Sequence, residues 1–302
     1  MAFTTNQIIV GNKIQPINTN VLASENDLTL QELEFLLSIL KDTTLIEAFE
    51  EVEVARQSVA DLIDAKPEQI MFTAGATEGL NIVADWYKDA PVVIITEAEH
   101  TANILPWIAQ GRTVENGRLQ VLPINEYGML DFDHAVKLFE NNPQSVLSIH
   151  SHSNVTGIPI NYKKLTKAAH SSGITVIIDA CQTIGTHKFD CYTVDHAVFS
   201  GHKMYGPTGV GVLYGKRSLL EALPPYQGGG EMIKDVSFTQ TTYNEIPYKF
   251  EAGTPNIAGV TGLNKAIEFI QRIGLDQISH HENKLLLRAT TQLSEIEGFQ
   301  PM

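Results

Sequence analysis

The chain has 302 residues, of which 43% are hydrophobic and 19% are charged, and its formal net charge at pH 7 is −14. This length and composition are typical of a globular protein with one large domain or two smaller ones. The acidic excess argues against nucleic acid or an anionic membrane as a partner, because either would be repelled electrostatically.

The two cysteines, Cys181 and Cys191, are too few for a disulfide framework in a chain of this length, and their spacing does not suit a zinc site. The first residues lack the basic start and apolar core of a secretory signal. No apolar run approaches the roughly 20 residues that a bilayer-spanning helix needs. These features predict a soluble, cytoplasmic protein in a reducing compartment.

Residues 1–44 are predicted to be an N-terminal segment, polar over its first 27 residues and helical from Leu28 to about Leu40. A second helix is predicted from about Leu45 to Ile63. Short apolar runs then alternate with helical patterns. The runs cover residues 70–72, 92–95, 121–124, 146–149, 175–178, 197–199 and 210–214, and helices are predicted near 77–87, 133–139 and 162–171. This alternation predicts an α/β fold with a mainly parallel, seven-stranded sheet that helices cover on both faces.

The pattern changes after Gly215, where a glycine triplet and a polar stretch precede two long helices. The first is predicted from Ile257 to Ile273 and ends at Gly274, and the second from about Gln277 to Ile296. Ligands of a parallel sheet bind beyond the carboxyl ends of its strands. Candidate functional residues are therefore expected where the strands end.

Lys203 lies on a tight glycine- and proline-containing turn, directly after the apolar run 197–199. A lone lysine in a polar loop is more often simply solvated. However, the run 175–178 ends on the carboxylate of Asp179. A lysine can form a Schiff base with an aldehyde cofactor, and a carboxylate is the partner that a pyridinium nitrogen needs. Together, these two residues predict pyridoxal 5′-phosphate (PLP) as the cofactor.

Several neighbouring residues could complete such a site. Gln182 could donate a hydrogen bond to the ring hydroxyl. The glycine loop 75–79 opens a helix whose backbone N–H groups would attract a phosphate, and Thr77 adds a hydroxyl donor. Ser200 and His202 could donate from the lysine turn. A short glycine loop is weak evidence alone, and Asp179 alone could be a helix cap.

Two further strand ends carry candidate side chains. His100 could stack on the cofactor ring and transfer protons, although a lone histidine is more often a loop or capping residue. Asn154 could contact the ring hydroxyl or a substrate carboxylate. His150 and His152 alternate in a way that suits a metal pair, but no carboxylate is spaced to complete it, so no metal site is predicted.

These segments resemble the cysteine desulfurase and selenocysteine lyase group of the class V aminotransferases. The resemblance runs from about Glu51 to about Ile270. The matching stretches are residues 72–81, 99–107, 153–157, 179–182, 200–215 and 250–256. Because order, spacing and residue identity agree together, the match is specific.

The resemblance implies the large-domain fold of PLP-dependent transferases. It implies catalytic roles for Lys203 as the Schiff-base lysine, Asp179 as the pyridinium partner and His100 as the stacking histidine. It implies that Gln182 donates a hydrogen bond to the ring hydroxyl, and that Thr77, Ser200 and His202 bind phosphate. The position of Ala76 usually holds a second phosphate-binding threonine, so one donor is lost.

The resemblance also implies partners. Thr254 would reach the phosphate of a neighbouring subunit, which implies a homodimer. The substrate would be a small amino acid, and a sulfur-acceptor protein would be a further partner.

The implied organisation is a PLP-binding large domain over residues 45–270, followed at 271–302 by the start of a truncated C-terminal small domain. In the family, that small domain carries the cysteine that takes sulfur from the substrate and an arginine that binds its carboxylate. Cys181 and Cys191 belong to other segments. The expected function is a cysteine desulfurase-like conversion of L-cysteine to L-alanine, impaired by the absence of that thiol. The alternatives are a lyase, racemase or aminotransferase acting on a small amino acid, and a non-catalytic relative.

Overall fold

The computed structural model describes residues 7–10, 13–16 and 45–299. The chain divides into two compact units, Met1–Glu53 and Val54–Met302. In the first unit, strands β1 (Gln7–Val10) and β2 (Lys13–Pro16) pair as an antiparallel hairpin. The rest of the predicted N-terminal segment, 1–44, lies outside the described residues.

The second unit is built on a seven-stranded sheet. Its strands are β3 (Ile70–Thr73), β4 (Val93–Thr96), β5 (Leu119–Leu122), β6 (Val146–His150), β7 (Thr175–Asp179), β8 (His196–Ser200) and β9 (Gly211–Gly215). They lie in the order β3-β9-β8-β7-β6-β4-β5. Strands β4 to β8 pair in parallel, and β9 is antiparallel to both of its neighbours, β3 and β8. The predicted mainly parallel, seven-stranded α/β sheet is confirmed.

The helices flank this sheet, and the central strands are therefore buried on both faces. Every residue of β6, β8 and β9 is buried. Such continuous burial is expected of strands that are covered on both faces of the sheet. The helices are α1 (Leu45–Ile63), α2 (Ala76–Trp86), α3 (Leu105–Ala109), α4 (Phe132–Asn141), α5 (Tyr162–Ser171), α6 (Arg217–Ala222), α7 (Ile257–Ile273) and α8 (Leu275–Leu293).

The predicted elements differ from the observed ones mainly at their ends. Strand β5 lies two residues earlier than the predicted 121–124, because its pairing with β4 runs from Leu119 to Leu122. Ile124 forms only an isolated bridge with Leu130. Helix α8 begins at Leu275, directly after Gly274, and ends at Leu293. Strands β10 (Ile233–Val236) and β11 (Thr241–Tyr243) form a hairpin that the sequence did not predict.

The carboxyl ends of β3, β4, β6, β7 and β8 lie at one edge of the sheet, where β9 begins at Gly211. A Cβ atom on Gly211 would lie 2.5 Å from the Cα atom of Gly75. Only glycine allows the loop before α2 to approach β9 so closely. This contact brings the start of α2 to the same edge as the ends of β7 and β8.

Among the described residues, none of the helices has both the length and the apolarity needed to cross a bilayer.

His196, the first residue of β8, is fully buried beside Tyr87. Its Nε2 lies 2.8 Å from the Tyr87 hydroxyl, and its Nδ1 has no hydrogen-bond partner in the described part of the chain. Burial lowers the pKa of His196 from 6.5 to about 4. The folded state therefore keeps this imidazole neutral at a pH where the unfolded chain protonates it.

We expect the folding stability to fall as the pH is lowered from about 6.5 to about 4, because the unfolded state binds the additional proton in this window. The full loss is on the order of 3 kcal/mol. Urea unfolding of the wild type and His196→Gln between pH 4.5 and 7.5 measures it, with the exposed His134→Gln as a control. His152, whose pKa burial also lowers, adds a contribution of the same sign. The same pH dependence in His196→Gln as in the wild type would contradict this expectation.

Candidate active site

A cavity of about 290 Å³ lies at the carboxyl edge of the sheet. It brings together nine of the ten residues predicted to bind a cofactor. These are Ala76, Thr77, His100, Asn154, Asp179, Gln182, Ser200, His202 and Lys203. The tenth, Thr254, lines a separate cavity of about 180 Å³.

Asp179 is the last residue of β7, and only 7% of its surface is exposed. Its Oδ1 accepts a hydrogen bond from the backbone N–H of Cys181 at 3.0 Å. Burial raises the pKa of Asp179 above its usual value, and the nearby Glu99 carboxylate adds to this increase. A buried carboxylate of this kind is stabilised by a cationic partner. A protonated pyridine nitrogen meets this need.

The start of α2 forms the anion-binding end of the cavity. Its cap is Gly75, which offers no side-chain hydrogen bond. The N–H of Ala76 donates to Ser200 Oγ at 2.9 Å, which fixes the hydroxyl of Ser200 beside the helix start. The N–H groups of a first helical turn and the helix dipole favour a phosphate here. Ala76 itself offers only its backbone, because its side chain is a buried methyl group.

Lys203 ends a single 3₁₀ turn, Gly201–Lys203, that follows β8 directly. The N–H groups of Met204 and Gly206 both donate to the carbonyl of Gly201, at 3.0 and 2.9 Å. Tyr205 has φ 66°, in the left-handed region that non-glycine residues rarely adopt. The tight reversal keeps the lysine side chain, which is exposed, at the mouth of the cavity.

His100 caps the 3₁₀ turn Thr101–Asn103, and its Nδ1 accepts a hydrogen bond from the N–H of Ala102 at 3.1 Å. A neutral imidazole held in this way carries its proton on Nε2. The exposed Asn154 lies in a turn in which the Ser153 hydroxyl accepts hydrogen bonds from the backbone N–H groups of Val155 and Thr156, both at 3.2 Å. These arrangements leave both side chains free to face a bound ring.

Sequence reasoning missed a buried polar network beneath the cavity, centred on Glu99. Its Oε1 accepts from Thr96 Oγ1 at 2.6 Å and from the Nδ1 of His150 at 2.8 Å. Its Oε2 accepts from Asn103 Nδ2 at 2.8 Å. The i, i+4 spacing of Glu99 and Asn103 was a signal that could have found part of it. The network ties the ends of β4 and β6 together and orients His150 toward the cavity.

The two thiols are held in their neutral form. Burial raises the pKa of Cys181, which lines the cavity, well above its usual value, and Asp179 adds to this increase. Burial also raises the pKa of Cys191 to about 11. Because the thiolate is the nucleophile, neither cysteine is activated. Among residues 7–10, 13–16 and 45–299, no group of three or more His, Cys, Asp or Glu side chains is arranged to hold a metal ion.

The family model for aminotransferase class V matches residues 41–302. The chain belongs to this family. It is 41% identical over 257 residues to a cysteine desulfurase from Synechococcus elongatus, and this match covers 82% of the chain and 41% of the relative. It is also 41% identical over 263 residues to a cysteine desulfurase from Yersinia pseudotuberculosis, covering 83% of the chain and 64% of the relative. The chain thus spans less than two thirds of the length of these curated relatives.

Solved structures give the same family. The cysteine desulfurase CsdA from Escherichia coli is 34% identical with a TM-score of 0.77, covering 93% of this chain and 70% of that one. The apo structure of a cysteine desulfurase from Thermococcus onnurineus is 31% identical with a TM-score of 0.75, covering 97% and 72%. The family resemblance and the large-domain fold are confirmed. Class V aminotransferases are PLP-dependent enzymes, which confirms the predicted cofactor for the family.

The donor set of the cavity fits PLP: a buried carboxylate for the ring nitrogen, a helix start with hydroxyls for the phosphate, and an amine for the aldehyde.

We expect the free energy of unfolding of the Asp179→Asn apoprotein to increase relative to that of the wild-type apoprotein as the pH rises from 4 to 8. The folded wild type holds the Asp179 proton to a higher pH than the unfolded chain does, so it loses stability as this proton leaves. Asparagine keeps the hydrogen bond to Cys181 without this cost. Urea unfolding of both apoproteins across this range measures the difference.

Asp190→Asn is the matched control, because the Lys163 side chain lowers the pKa of Asp190 and the sign reverses. This variant should lose relative stability as the pH rises. A wild type that gains stability over Asp179→Asn at high pH would show that the Asp179 carboxylate is not destabilised by burial.

Proposed function

We propose that this chain binds PLP through Lys203 and acts on a small amino acid, with removal of sulfur from L-cysteine to give L-alanine as its reaction. The observation that carries this proposal is the convergence of Lys203, Asp179 and the start of α2 on one cavity. The similarity to cysteine desulfurases supports the choice of reaction. When bound, PLP supplies an electron sink for the bonds at the α-carbon of an amino acid.

Each residue of the cavity has a distinct task in this proposal. Asp179 holds the ring nitrogen in its protonated form. Gln182 and Asn154 hydrogen-bond to the ring hydroxyl, and His100 lies against the ring face. Lys203 holds the cofactor and then moves the proton of the substrate α-carbon.

The phosphate would be held at the end of the cavity where α2 begins. The backbone N–H of Ala76 and the side chains of Thr77, Ser200 and His202 surround this end. The missing hydroxyl at Ala76 removes one hydrogen bond, which is worth about 0.5–1.5 kcal/mol and somewhat more to a charged group. This weakens phosphate binding without abolishing it.

Thr254 would contribute to the site of a second subunit in a homodimer. It is exposed and lies outside the cavity of its own chain. Its loop is anchored by Glu251, which accepts from Arg56 NH1 and NH2 at 2.8 and 2.9 Å and from the backbone N–H of Phe72 at 2.7 Å. A loop held this firmly could present Thr254 to a neighbouring subunit.

The reaction also suggests where the protein acts and what receives its product. Sulfur removed from cysteine needs an acceptor, so a sulfur-acceptor protein is part of the proposal. The free cysteines suit a reducing compartment, and the proposed location is the cytoplasm.

The state of the thiols favours a second candidate. Removing sulfur from cysteine to leave alanine requires a thiolate that takes the sulfur as a persulfide. Cys181 and Cys191 are held as neutral thiols. A PLP reaction that needs no protein thiol, such as that of a lyase, racemase or aminotransferase on a small amino acid, is therefore the alternative.

We expect Lys203→Ala to lose the visible absorbance band of lysine-bound pyridoxal after PLP is added, because Lys203 is the only lysine among the described residues that line the cavity. The control is Lys188→Ala, which removes an exposed lysine and should keep the band. An unchanged spectrum in Lys203→Ala would refute the assignment. A wild type that shows no band would identify a non-catalytic relative.

We expect neither cysteine to carry persulfide when the purified chain is given PLP and L-cysteine. Mass spectrometry after labelling of persulfides measures this, and the variants Cys181→Ser and Cys191→Ser should form sulfide or alanine within about twofold of the wild type. The reason is the neutral state of both thiols. Robust persulfide on Cys181 or Cys191 would show that burial does not suppress its reactivity.

A further inference from the structure

His152 lines the cavity beside Asn154 and Gln182, and it is half-buried. It follows the end of β6 by two residues. The stretch that resembles cysteine desulfurases begins at the next residue, Ser153, so the family resemblance assigns no role to His152. Its position is on the side of the cavity where the ring hydroxyl and the substrate are proposed to lie.

A chain of hydrogen bonds fixes the orientation and the tautomer of this imidazole. His152 Nδ1 lies 2.7 Å from Thr183 Oγ1, and Thr183 Oγ1 is hydrogen-bonded to Ser151 Oγ. The Ser151 hydroxyl in turn donates to the backbone carbonyl of Asp179 at 3.2 Å. A carbonyl only accepts, and each hydroxyl has one proton. All three hydrogen bonds can form together only if Nδ1 of His152 carries a proton and donates it to Thr183.

The Nε2 atom of His152 is therefore a lone-pair acceptor in the neutral ring. Among the described residues, Thr183 is the only hydrogen-bond partner of the His152 side chain, so Nε2 can accept a hydrogen bond or a proton from a ligand. The ring also stacks on His187, with centroids 5.0 Å apart and an angle of 28° between the planes. Burial, His187 and His150 lower the pKa of His152. The neutral form is the one present at neutral pH.

We propose that His152 is a further catalytic residue, which removes a proton from the ammonium group of the entering amino acid. This inference rests on the proposed function. An N–H bond of the ammonium breaks and an N–H bond forms at Nε2, while the substrate nitrogen keeps the electron pair. The free amine would be the form of the substrate that can replace Lys203 on a bound cofactor. The imidazolium keeps its Nδ1–H donation to Thr183 and releases the new proton to water in the open cavity.

Other titratable groups line the cavity together with this imidazole. From the elements that form the cavity they are His100, His150, Asp179, Cys181, His202 and Lys203, and His187 stacks on the ring from the outer side. A test must therefore separate His152 from these neighbours. Two readouts do so, and one of them needs no cofactor.

The first readout is the tautomer of His152 in the apoprotein. The ¹⁵N chemical shifts of histidine-labelled protein at pH 7.5, assigned with His152→Gln, should show the Nδ1–H form. Thr183→Val should convert this signal to a mixture, and Thr183→Ser, which keeps the hydroxyl, should restore it. An Nε2–H form in the wild type would overturn the proposal.

The second readout is the rate at which the absorbance of the PLP-loaded protein changes after L-cysteine or L-alanine is mixed in at pH 7.5. We expect His152→Gln to slow this change by about 100-fold, the lower end of the range for a general base. Its PLP affinity should stay within about twofold of the wild type. His187→Gln, which removes only the outer ring, should also stay within about twofold.

The outcomes separate this inference from the proposed function. An unchanged rate in His152→Gln overturns the inference and leaves the proposed function intact. A wild type that binds PLP but responds to neither L-cysteine nor L-alanine overturns the inference and the proposed substrate, and leaves only PLP binding through Lys203 standing. A wild type that binds no PLP refutes the proposed function, and the inference fails with it.

Discussion

The site depends on one buried carboxylate. Strand β7 is covered on both faces, so a charged side chain within it would be buried without water. Asp179, at the end of the strand, is the first position where a charge is tolerated. Even there the side chain remains almost fully buried and its pKa is raised. A group in this state gains stability from a cationic partner. The PLP ring would supply that cation. Because it would offset the unfavourable burial of the Asp179 carboxylate, this pairing would contribute to cofactor affinity.

The sheet brings the other groups to this carboxylate. Because β7 and β8 are parallel neighbours, their last residues, Asp179 and Ser200, lie at the same edge of the sheet. Lys203 follows Ser200 by one turn. Strand β9 runs in the opposite direction and begins at this edge with Gly211, whose missing side chain admits Gly75 and the start of α2. The positions of Asp179, Lys203 and the start of α2 are thus set by strand direction and one close backbone contact. The buried Glu99 network supports the neighbouring ends of β4 and β6.

Much of this arrangement could be predicted from the sequence. Apolar runs bounded by polar turns located all seven strands of the sheet, and residues at their carboxyl ends were expected to converge because parallel strands end together. What could not be predicted depends on side chains that are distant along the chain. Glu99 and His150 are 51 positions apart, and His152 and Thr183 are 31 apart, so no local pattern reveals either contact. The sequence pattern suggests only a metal pair for His150 and His152, whereas each side chain is oriented by a different hydrogen-bonding partner. The shift of β5 arose because its register is set by pairing with β4.

A crystal structure of this chain with PLP tests the central claim most directly. The account predicts continuous electron density between the Nζ of Lys203 and the cofactor, with the ring nitrogen about 2.7–2.9 Å from a carboxylate oxygen of Asp179, as for a charged hydrogen bond. The phosphate should lie at the start of α2 beside Ser200. Cofactor density away from Lys203, or a ring nitrogen that faces a group other than Asp179, would contradict the account.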